Sequence, residues 1–300
     1  VSLFTLLLCL GSPGCDDDPS PPRDAGIDGD QDNDADSEPH GGTEDLRILT
    51  WNIQTFPKAS NTIDRVEQII GDLEPDIMGI QEIDEPGAFQ ELDDRLTDYT
   101  GILAFDPGTD LKVALLYRSD VMEVGFSATL FADDGWVFPR APLMAEFEVY
   151  DENGEMTFDF VLIVVHLKAL LDDESRERRR SACERIAEWI EARRQDGEEM
   201  DYIVIGDFND ELTDRGTDNV FTDFLDEPET YRFLTQPMAE LGGFTYIPFE
   251  SFLDHILITT EVNAQYGNGS TEILDLEHTI PSYESTISDH RPVLSVFELP

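Results

Sequence analysis

Residues that bind metal ions or phosphate follow six apolar, strand-like runs that are spread over most of this 300-residue chain. In chain order these polar residues are Asn52, Glu82, His166, Asp207, Asn209, Asp254, Asp289 and His290. Buried strands that end in amides, carboxylates and imidazoles are typical of a divalent-metal hydrolase built between sheets. No single segment would support that interpretation. Chance would need six independent coincidences to produce all six segments in this order.

The first two runs, LRILTWN and IMGIQE, end in an amide and a carboxylate, Asn52 and Glu82. A neutral amide can hold a metal ion or a phosphate oxygen without adding charge, although an Asn that hydrogen-bonds a turn is the alternative. A carboxylate at the end of an apolar strand is costly unless a cation meets it, and a hard divalent ion suits Glu82. The alternative for Glu82 is a carboxylate at the rim, in water.

Two further runs are followed by an imidazole and by a carboxylate–amide pair. Asp207 and Asn209 follow IVIG, and strand alternation places them on the same side, where they could hold an attacking water and a phosphoryl group. A simple Asp-x-Asn turn is the alternative for that pair. His166 follows FDFVLIVV and could bind a phosphate oxygen or protonate a leaving group, although such a His is often a hydrogen-bonded core imidazole.

The last two segments combine carboxylates with a second imidazole. Asp254, in FLDHILI, could orient His290, because a His–Asp hydrogen bond raises the basicity of the ring and selects its tautomer. Asp289, next to His290, would then face the metal ion. His255 is out of phase with Asp254 along its strand, which predicts that its side chain points away from the site.

The elements that must position these side chains are mostly strands. Three helical patterns separate the strands: Thr62–Leu73, Glu85–Leu96 and Ser175–Arg194. Many strands with few helices predict two mixed β-sheets packed face to face, with helices outside, in one catalytic domain of residues 46–300. The predicted strands are Arg47–Ile53, Ile77–Ile83, Tyr99–Phe105, Val113–Arg118, Val121–Phe131, Leu143–Tyr150, Phe158–His166, Tyr202–Gly206, Phe244–Pro248, Leu253–Thr259 and Val293–Leu299.

The longest helical pattern has a polar face crowded with Arg and Glu. Interleaved Glu side chains favour an ion-paired, solvated face over the alternative, contact with a polyanion. Cys183 lies in the same pattern and is predicted to be a small buried hydrophobe. The Arg side chains concerned are Arg176, Arg178, Arg179, Arg180 and Arg185.

Residues 1–15 have the pattern of a signal peptide. The apolar run VSLFTLLLCL is too short to span a membrane after folding, and Gly14-Cys15 after it looks like a bacterial lipoprotein cleavage site. We expect export, with a lipid on Cys15 anchoring the protein to the bacterial envelope and providing its only membrane contact. An ordinary cleaved signal peptide, giving a secreted or periplasmic protein, is the alternative.

The charge of the chain is strongly negative, with 66 Asp and Glu against 19 Lys and Arg and a net charge of −47. Residues 16–45 are acidic with almost nothing apolar, and this composition predicts a disordered tether. A negative protein repels polyanions at long range, so a nucleic acid substrate would need cations or a local basic patch.

Together, the six segments resemble the endonuclease/exonuclease/phosphatase superfamily, the fold shared by deoxyribonuclease I and exonuclease III. The resemblance covers residues 46–300 and implies a four-layer α/β sandwich, in which two packed mixed β-sheets are flanked by helices. It implies a divalent metal cofactor, usually Mg²⁺, with Mn²⁺ or Ca²⁺ as alternatives. Asn52, Glu82 and Asp289 match residues at that metal, and Asp207 and Asn209 match the pair that positions the nucleophilic water.

The remaining matches concern the phosphate and the leaving group. His166 matches a phosphate-contacting or acid-side His, and Asp254 and His290 match an Asp–His pair. Arg140, in FPRAPL, looks like the phosphate-side Arg of the family. Asp106 lies where some members carry an acidic partner for His166.

The function predicted from these residues is that of an exported, metal-dependent phosphoesterase. A nuclease or phosphodiesterase acting on DNA, RNA or another phosphodiester is the first choice, and we expect a monomer. A phosphomonoesterase or a phospholipid-head hydrolase of the sphingomyelinase type is the alternative. An inactive binding module would be favoured by loss of Glu82, Asp207 or His290, but all three are present.

Overall fold

The computed structural model describes residues 43, 45–106, 108–109, 111–197 and 199–299. The signal peptide, the lipidated Cys15 and nearly all of the tether predicted for residues 16–45 lie outside this part of the chain and stay predictions. The first strand begins at Asp45, one residue before the predicted start of the catalytic domain. None of the helices in the described part of the chain combines the length and apolarity that a membrane crossing requires.

Two mixed, six-stranded β-sheets form the centre of the fold, as expected. The strands are β1 (Asp45–Phe56), β2 (Ile77–Ile83), β3 (Tyr99–Leu103), β4 (Lys112–Arg118), β5 (Met122–Thr129), β6 (Leu143–Tyr150), β7 (Met156–His166), β8 (Tyr202–Asp207), β9 (Tyr231–Phe233), β10 (Asp254–Thr259), β11 (Ser270–Ile273) and β12 (Val293–Glu298). The first sheet has the order β11-β12-β1-β2-β4-β3, and the second has the order β5-β6-β7-β8-β10-β9.

Helices flank the two sheets, and the long ones cover their outer faces. The long helices are α1 (Thr62–Leu73), α2 (Pro86–Arg95) and α3 (Asp173–Gln195), and the short ones are α4 (Thr222–Leu225), α5 (Gln236–Glu240), α6 (Asn263–Tyr266) and α7 (Tyr283–Thr286). Helix α1 buries Val66, Ile69 and Ile70 on one stripe, as its sequence period predicts. Helix α3 begins after Asp172, whose carboxylate accepts the Ser175 N–H at 3.0 Å and so caps the first turn.

The apolar side chains sort into layers because successive residues of a strand point to opposite faces. In β8, Ile203 and Ile205 pack between the two sheets, whereas Tyr202 and Val204 pack outward beneath α3. Both faces of the central strands are therefore buried, which explains why these runs are continuously apolar. The sheets pack tightly at Gly79, where an added Cβ would lie 2.6 Å from Cδ1 of Ile205. The result is the predicted four-layer α/β sandwich.

Each sheet contains one parallel pair of strands, and this topology gathers the polar residues. Strands β1 and β2 pair in parallel in the first sheet, and β7 and β8 in the second. The carboxyl ends of parallel strands meet at one edge of a sheet. Asn52 and Glu82 therefore come together, as do His166 and Asp207, which are direct register partners.

One strand assignment from the sequence is wrong, and two strands were missed. Residues 244–248 form a loop in which Tyr246 makes single bridges to Ser251 and His290, and Pro248 has no N–H to extend a ladder. Strands β9 and β11 were not predicted, because three or four residues are too few to show a period of two.

Candidate active site

All nine residues predicted for the site come together at one end of the paired sheets. Two of them lie behind the wall of a cleft there: Asn52 bonds Glu82 and Asp207, and Asp254 bonds His290. The cleft has a volume of ≈ 690 Å³. The other seven line it directly: Glu82, Arg140, His166, Asp207, Asn209, Asp289 and His290. Their chemical roles stay predictions.

Asp207 is the centre of the hydrogen-bond network. Its Oδ1 accepts the backbone N–H of Asn209 at 2.8 Å, and its Oδ2 accepts Nδ2 of Asn52 at 3.0 Å. Nε2 of His166 lies 3.5 Å from the same Oδ2. Burial and the neighbouring Asp254 carboxylate raise the pKa of Asp207 to about 7, against the opposing effects of His290 and Asn52. A carboxyl group with a pKa near neutrality is suited to proton transfer at neutral pH.

Strand pairing brings the Asp–His pair to Asp207. Asp254 is the direct register partner of Asp207 across β10 and β8, and its Oδ2 lies 2.8 Å from Nδ1 of His290. Burial alone would lower the pKa of His290, but the charge and hydrogen bond of Asp254, with further help from Asp207 and Asp289, raise it to about 10. His290 is therefore a buried imidazolium at neutral pH. Among the described residues, Oδ1 of Asp254 has no hydrogen-bond partner.

Glu82 and Asp289 also line the cleft, and both accept hydrogen bonds from the end of β1. Glu82 accepts the Thr55 N–H at 2.9 Å and Nδ2 of Asn52 at 3.2 Å. Asp289 accepts Nε2 of Gln54 at 2.7 Å, and burial raises its pKa. Gln54 was missed in the sequence, although its position two residues after Asn52 was the available signal. These donors are neutral, so they do not offset the negative charge of either carboxylate. Asp289 also has a charged neighbour, because its Oδ1 lies 4.0 Å from Nε2 of His290.

Two groups of side chains in the described chain could bind a divalent ion. Glu82 and Asp289 offer carboxylate oxygens, which a hard ion prefers. Asp207, Asp254 and His290 place one ligand atom each within 4.8 Å of one another. In that second group, Nδ1 of His290 and Oδ2 of Asp254 already bond one another at 2.8 Å, so the imidazole and this carboxylate are engaged as a pair. The donor chemistry therefore favours the Glu82–Asp289 group.

Asn52, predicted as the third residue at the metal, faces the carboxylates with its N–H₂ group. Its Oδ1 accepts the Gln54 N–H at 3.0 Å, which fixes the orientation of the amide. In this arrangement Asn52 holds Glu82 and Asp207 together rather than presenting an oxygen to an ion. Direct metal coordination by Asn52 stays a prediction.

Backbone conformations that ordinary residues avoid are concentrated at the site. Gln54, Thr55, Glu82 and Asn209 have positive φ values of 37°, 48°, 66° and 55°. Such conformations cost on the order of 1 kcal/mol or more each, and they persist where the surrounding structure imposes them. Here they turn the strand ends so that amide and carboxylate groups face one another.

The carbonyl of Leu167 joins Arg140, predicted on the phosphate side, to Asn209, predicted beside the nucleophilic water. It accepts Nη1 of Arg140 at 3.2 Å and Nδ2 of Asn209 at 3.2 Å. Burial lowers the pKa of Arg140, while Asp207 and Glu82 act in the opposite direction, and a guanidinium stays charged at neutral pH. Burial also lowers the pKa of His166, so this second imidazole is neutral.

Asp106 does not pair with His166, contrary to one expectation. Its carboxylate oxygens accept the backbone N–H groups of Gly108 and Ala141, both at 2.9 Å, and so hold the loop that carries Arg140. Nδ1 of His166 is buried without a hydrogen-bond partner among the described residues.

The Arg-rich face of α3 is ion-paired and hydrogen-bonded rather than open to a polyanion. Arg176 pairs with Asp173 and Asp218, and Arg180 with Glu177. Arg179 differs from its neighbours because it is only 2% exposed and binds Asp210. The structure also bears out two minor predictions: Cys183 is fully buried, and His255 points away from the site.

The chain belongs to the Endonuclease/Exonuclease/phosphatase family, whose sequence profile matches residues 49–290. It is similar in structure to an endonuclease/exonuclease/phosphatase from Bacteroides vulgatus, with 25% identity, a TM-score of 0.60, and coverage of 86% of this chain and 100% of that one. Comparison with curated proteins finds no match.

Two structures with lower sequence identity show the same fold. TDP2 from D. rerio, complexed with a single-strand DNA product, has 16% identity and a TM-score of 0.63, with coverage of 85% of this chain and 99% of that one. The human Nocturnin catalytic domain, with a bound sulfate anion, has 20% identity and a TM-score of 0.60, with coverage of 86% and 95%. As a member of this family, the chain is a metal-dependent phosphoric ester hydrolase.

Proposed function

We propose that this family member is a phosphodiesterase of the nuclease type, which hydrolyses phosphodiester bonds by in-line attack of an activated water. The observation that carries the proposal is the position of Asp207. Its two oxygens are oriented by Asn209 and Asn52, and it lies in one cleft with the cations His290 and Arg140. The proposal includes the expected export, which is supported by the apolar run before Cys15.

The residues present fit a hard divalent ion. Glu82 and Asp289 are carboxylates with 18% and 16% of the side chain exposed, and they accept hydrogen bonds from neutral groups of the β1 end. A Mg²⁺ ion held there would polarise a phosphate oxygen as a Lewis acid. Mn²⁺ and Ca²⁺ are alternatives with the same ligand preference.

Asp207 and Asn209 would prepare the nucleophile. A water bonded to Asp207 loses its proton to this carboxylate as the water oxygen bonds to phosphorus and the bond to the leaving oxygen breaks. Because the oxygens of Asp207 are held by Asn52 and Asn209, its orientation is set before substrate arrives. Pre-organisation of this kind avoids reorganisation during the reaction.

His290 and Arg140 would stabilise the charge that develops on the phosphoryl oxygens. His290 is a buried cation and Arg140 a half-buried one, and electrostatic stabilisation is stronger at such positions than in bulk water. Asp254 keeps His290 protonated through their 2.8 Å contact. His166 is neutral, and it would contact a phosphate oxygen or the leaving group.

The DNA product in the TDP2 structure supports a nucleic acid among the substrates to test. One observation favours the alternative, a phospholipid-head or other amphiphilic phosphoester. Apolar side chains line the mouth of the cleft, and Leu170, Leu171 and Phe249 are 65%, 87% and 78% exposed. The substrate panel must therefore include small diesters and monoesters as well as DNA and RNA.

The test is hydrolysis of plasmid DNA, RNA, bis-p-nitrophenyl phosphate and p-nitrophenyl phosphate by the purified protein, with Mg²⁺ and then with chelator. We expect Asp207→Asn to lower kcat/KM about 10²- to 10⁴-fold, the usual contribution of a general base. Asp201→Asn is the matched control, because Asp201 precedes the opposite end of β8. Activity that survives the chelator or Asp207→Asn would contradict the mechanism, and cleavage of the monoester alone would replace the proposed function with that of a phosphomonoesterase.

A further inference from the structure

Two aromatic rings lead from solvent to His290 along one wall of the cleft. The ring of Tyr246 lies 4.9 Å from the ring of His290, and the ring of Phe249 lies 5.9 Å from that of Tyr246, with interplanar angles of 42° and 34°. Phe249 is 78% exposed, so one face of the series is open to a ligand. We call Tyr246 and Phe249 the aromatic shelf.

The aromatic shelf is held by the backbone that also carries the site. Tyr246 forms bridges to Ser251, which closes the loop at its base, and to His290. On either side of Tyr246, the Ile247 N–H bonds the Asp289 carbonyl at 2.9 Å, and the Arg291 N–H bonds the Thr245 carbonyl at 2.7 Å. The position of Tyr246 relative to the phosphate-side groups is therefore built into the fold, and Phe249 follows it in the loop that Ser251 closes.

The charges around the cleft select a small ligand rather than a long polyanion. Of the described residues that line it, Arg140 is the one Lys or Arg. The Arg-rich face of α3 is engaged with Asp and Glu, and the chain carries a net charge of −47. Binding energy beyond the phosphate itself must therefore come from the apolar wall. A stacked aromatic group supplies such energy without adding charge.

From this geometry, and resting on the proposed phosphodiesterase function, we infer that the preferred substrate is a small phosphoester with a planar aromatic group. The ring stacks on Phe249 while the phosphate lies between His290 and Arg140. An aryl ester and a single nucleotide share this chemistry. Tyr246 continues the stack inward and shields the His290 ring from solvent on that side.

Two phosphonates that cannot be hydrolysed test the binding separately from catalysis. Phenylphosphonate and methylphosphonate differ in the ring alone, and their dissociation constants are measured by calorimetry with Mg²⁺ on the full chain. We expect phenylphosphonate to bind about tenfold more tightly, a factor that corresponds to about 1.4 kcal/mol. Phe249→Ala should reduce the ratio of the two dissociation constants to near one, and Phe249→Trp should preserve that ratio. Phe126→Ala is the control, because Phe126 is another exposed Phe (55%) on β5 and does not line the cleft.

Equal affinities for the two phosphonates, or a ratio that Phe249→Ala leaves unchanged, would overturn the inference. Loss of the ratio in Phe126→Ala as well would also overturn it, because the effect would not be local. Whether the substrate's ring is a nucleobase or a simple aryl group is tested by comparing KM for the p-nitrophenyl ester of thymidine 5′-phosphate with KM for methyl p-nitrophenyl phosphate. A lower KM for the thymidine ester assigns the shelf to a nucleobase, and equal values assign it to a simple aryl group. If neither ester is hydrolysed while the phenyl preference persists, the proposed function fails and the aromatic site stands.

Discussion

Replacement of Arg179 by Met tests how α3 holds the two loops of the candidate active site. Nε of Arg179 donates to Oδ2 of Asp210 at 2.7 Å, in the segment after Asp207. Nη1 donates to the carbonyls of Lys168 and Leu170, at 2.8 and 2.7 Å, in the loop after His166. One buried guanidinium thus joins the loops that follow β7 and β8.

The magnitude follows from burial. The side chains of Arg179 and Asp210 are 2% and 5% exposed, so Met would leave a buried carboxylate without its charged partner. Removing one partner of a buried ion pair lowers the unfolding free energy by about 3–5 kcal/mol. At about 2–4 °C per kcal/mol for a domain of this size, the midpoint of thermal unfolding should fall by roughly 6–20 °C. The matched control is Arg178→Met, whose guanidinium bonds the carbonyls of Trp136 and Gly135 at the surface, and we expect a loss below about 1 kcal/mol.

The assay is urea unfolding followed by circular dichroism, with thermal melts in parallel. Arg179→Met combined with Asp210→Leu removes both charges, so it should be more stable than Arg179→Met alone. In the single variant, kcat should fall more than KM rises, because one loop directly follows His166 and the other contains Asn209. A loss of stability no greater than that of Arg178→Met would refute the assignment of Arg179 as the link between the loops.

Three further predictions concern the metal, the acid limit and the sheet packing. Glu82→Gln should lower the Mg²⁺-dependent kcat/KM more than about 100-fold and leave the unfolding midpoint unchanged. If the variant is folded and active, the assignment of Glu82 to the metal site is wrong. Burial among Phe rings lowers the pKa of His255 to about 4, below its value of about 6.5 in the unfolded chain, so the unfolded state binds the proton first. The contribution of His255 to stability should therefore be constant above about pH 7 and should fall by about 2 kcal/mol from pH 7 to pH 5. Because Asp207 and His290 also titrate with raised pKa values, this contribution is measured as the difference between the wild type and His255→Gln in urea titrations at each pH. Gly79→Ala should cost about 1–3 kcal/mol of unfolding free energy, because its Cβ would meet Ile205. Gly71→Ala is the control and should be neutral or stabilising, because a Cβ there would have nothing within 4 Å. Equal effects of the two substitutions in urea titrations would contradict the packing argument.

Elements with strong periodicity were predicted well from the sequence. The bounds of α1, β2 and β6 agree with the predicted segments, because each buries a continuous apolar stripe or face that is visible in single residues. The long helix α3 extends only two residues before and one residue after its predicted limits, since its Asp172 cap lies just outside the apolar period.

Local patterns did not reveal contacts between segments that are distant in the chain. The Phe244–Pro248 run looked like a strand, but its Pro and its single bridges make it a loop that presents Tyr246 to His290. Asp106 was expected near His166 and instead holds the backbone of Ala141. The sequence offers no period or spacing that encodes either partner.

The sequence by itself determined the order of the polar residues at strand ends, the two-sheet architecture and the acidic character of the chain. These properties depend on residue type and on periods of two or 3.6, which neighbouring residues display directly. Tertiary structure decided which polar atoms meet. Register places Asp254 opposite Asp207, and helix packing buries Arg179 while it leaves Arg178 at the surface. The physical reason is that hydrogen bonds and pKa values depend on distances of a few ångströms between segments, and these distances exist only after both sheets have packed.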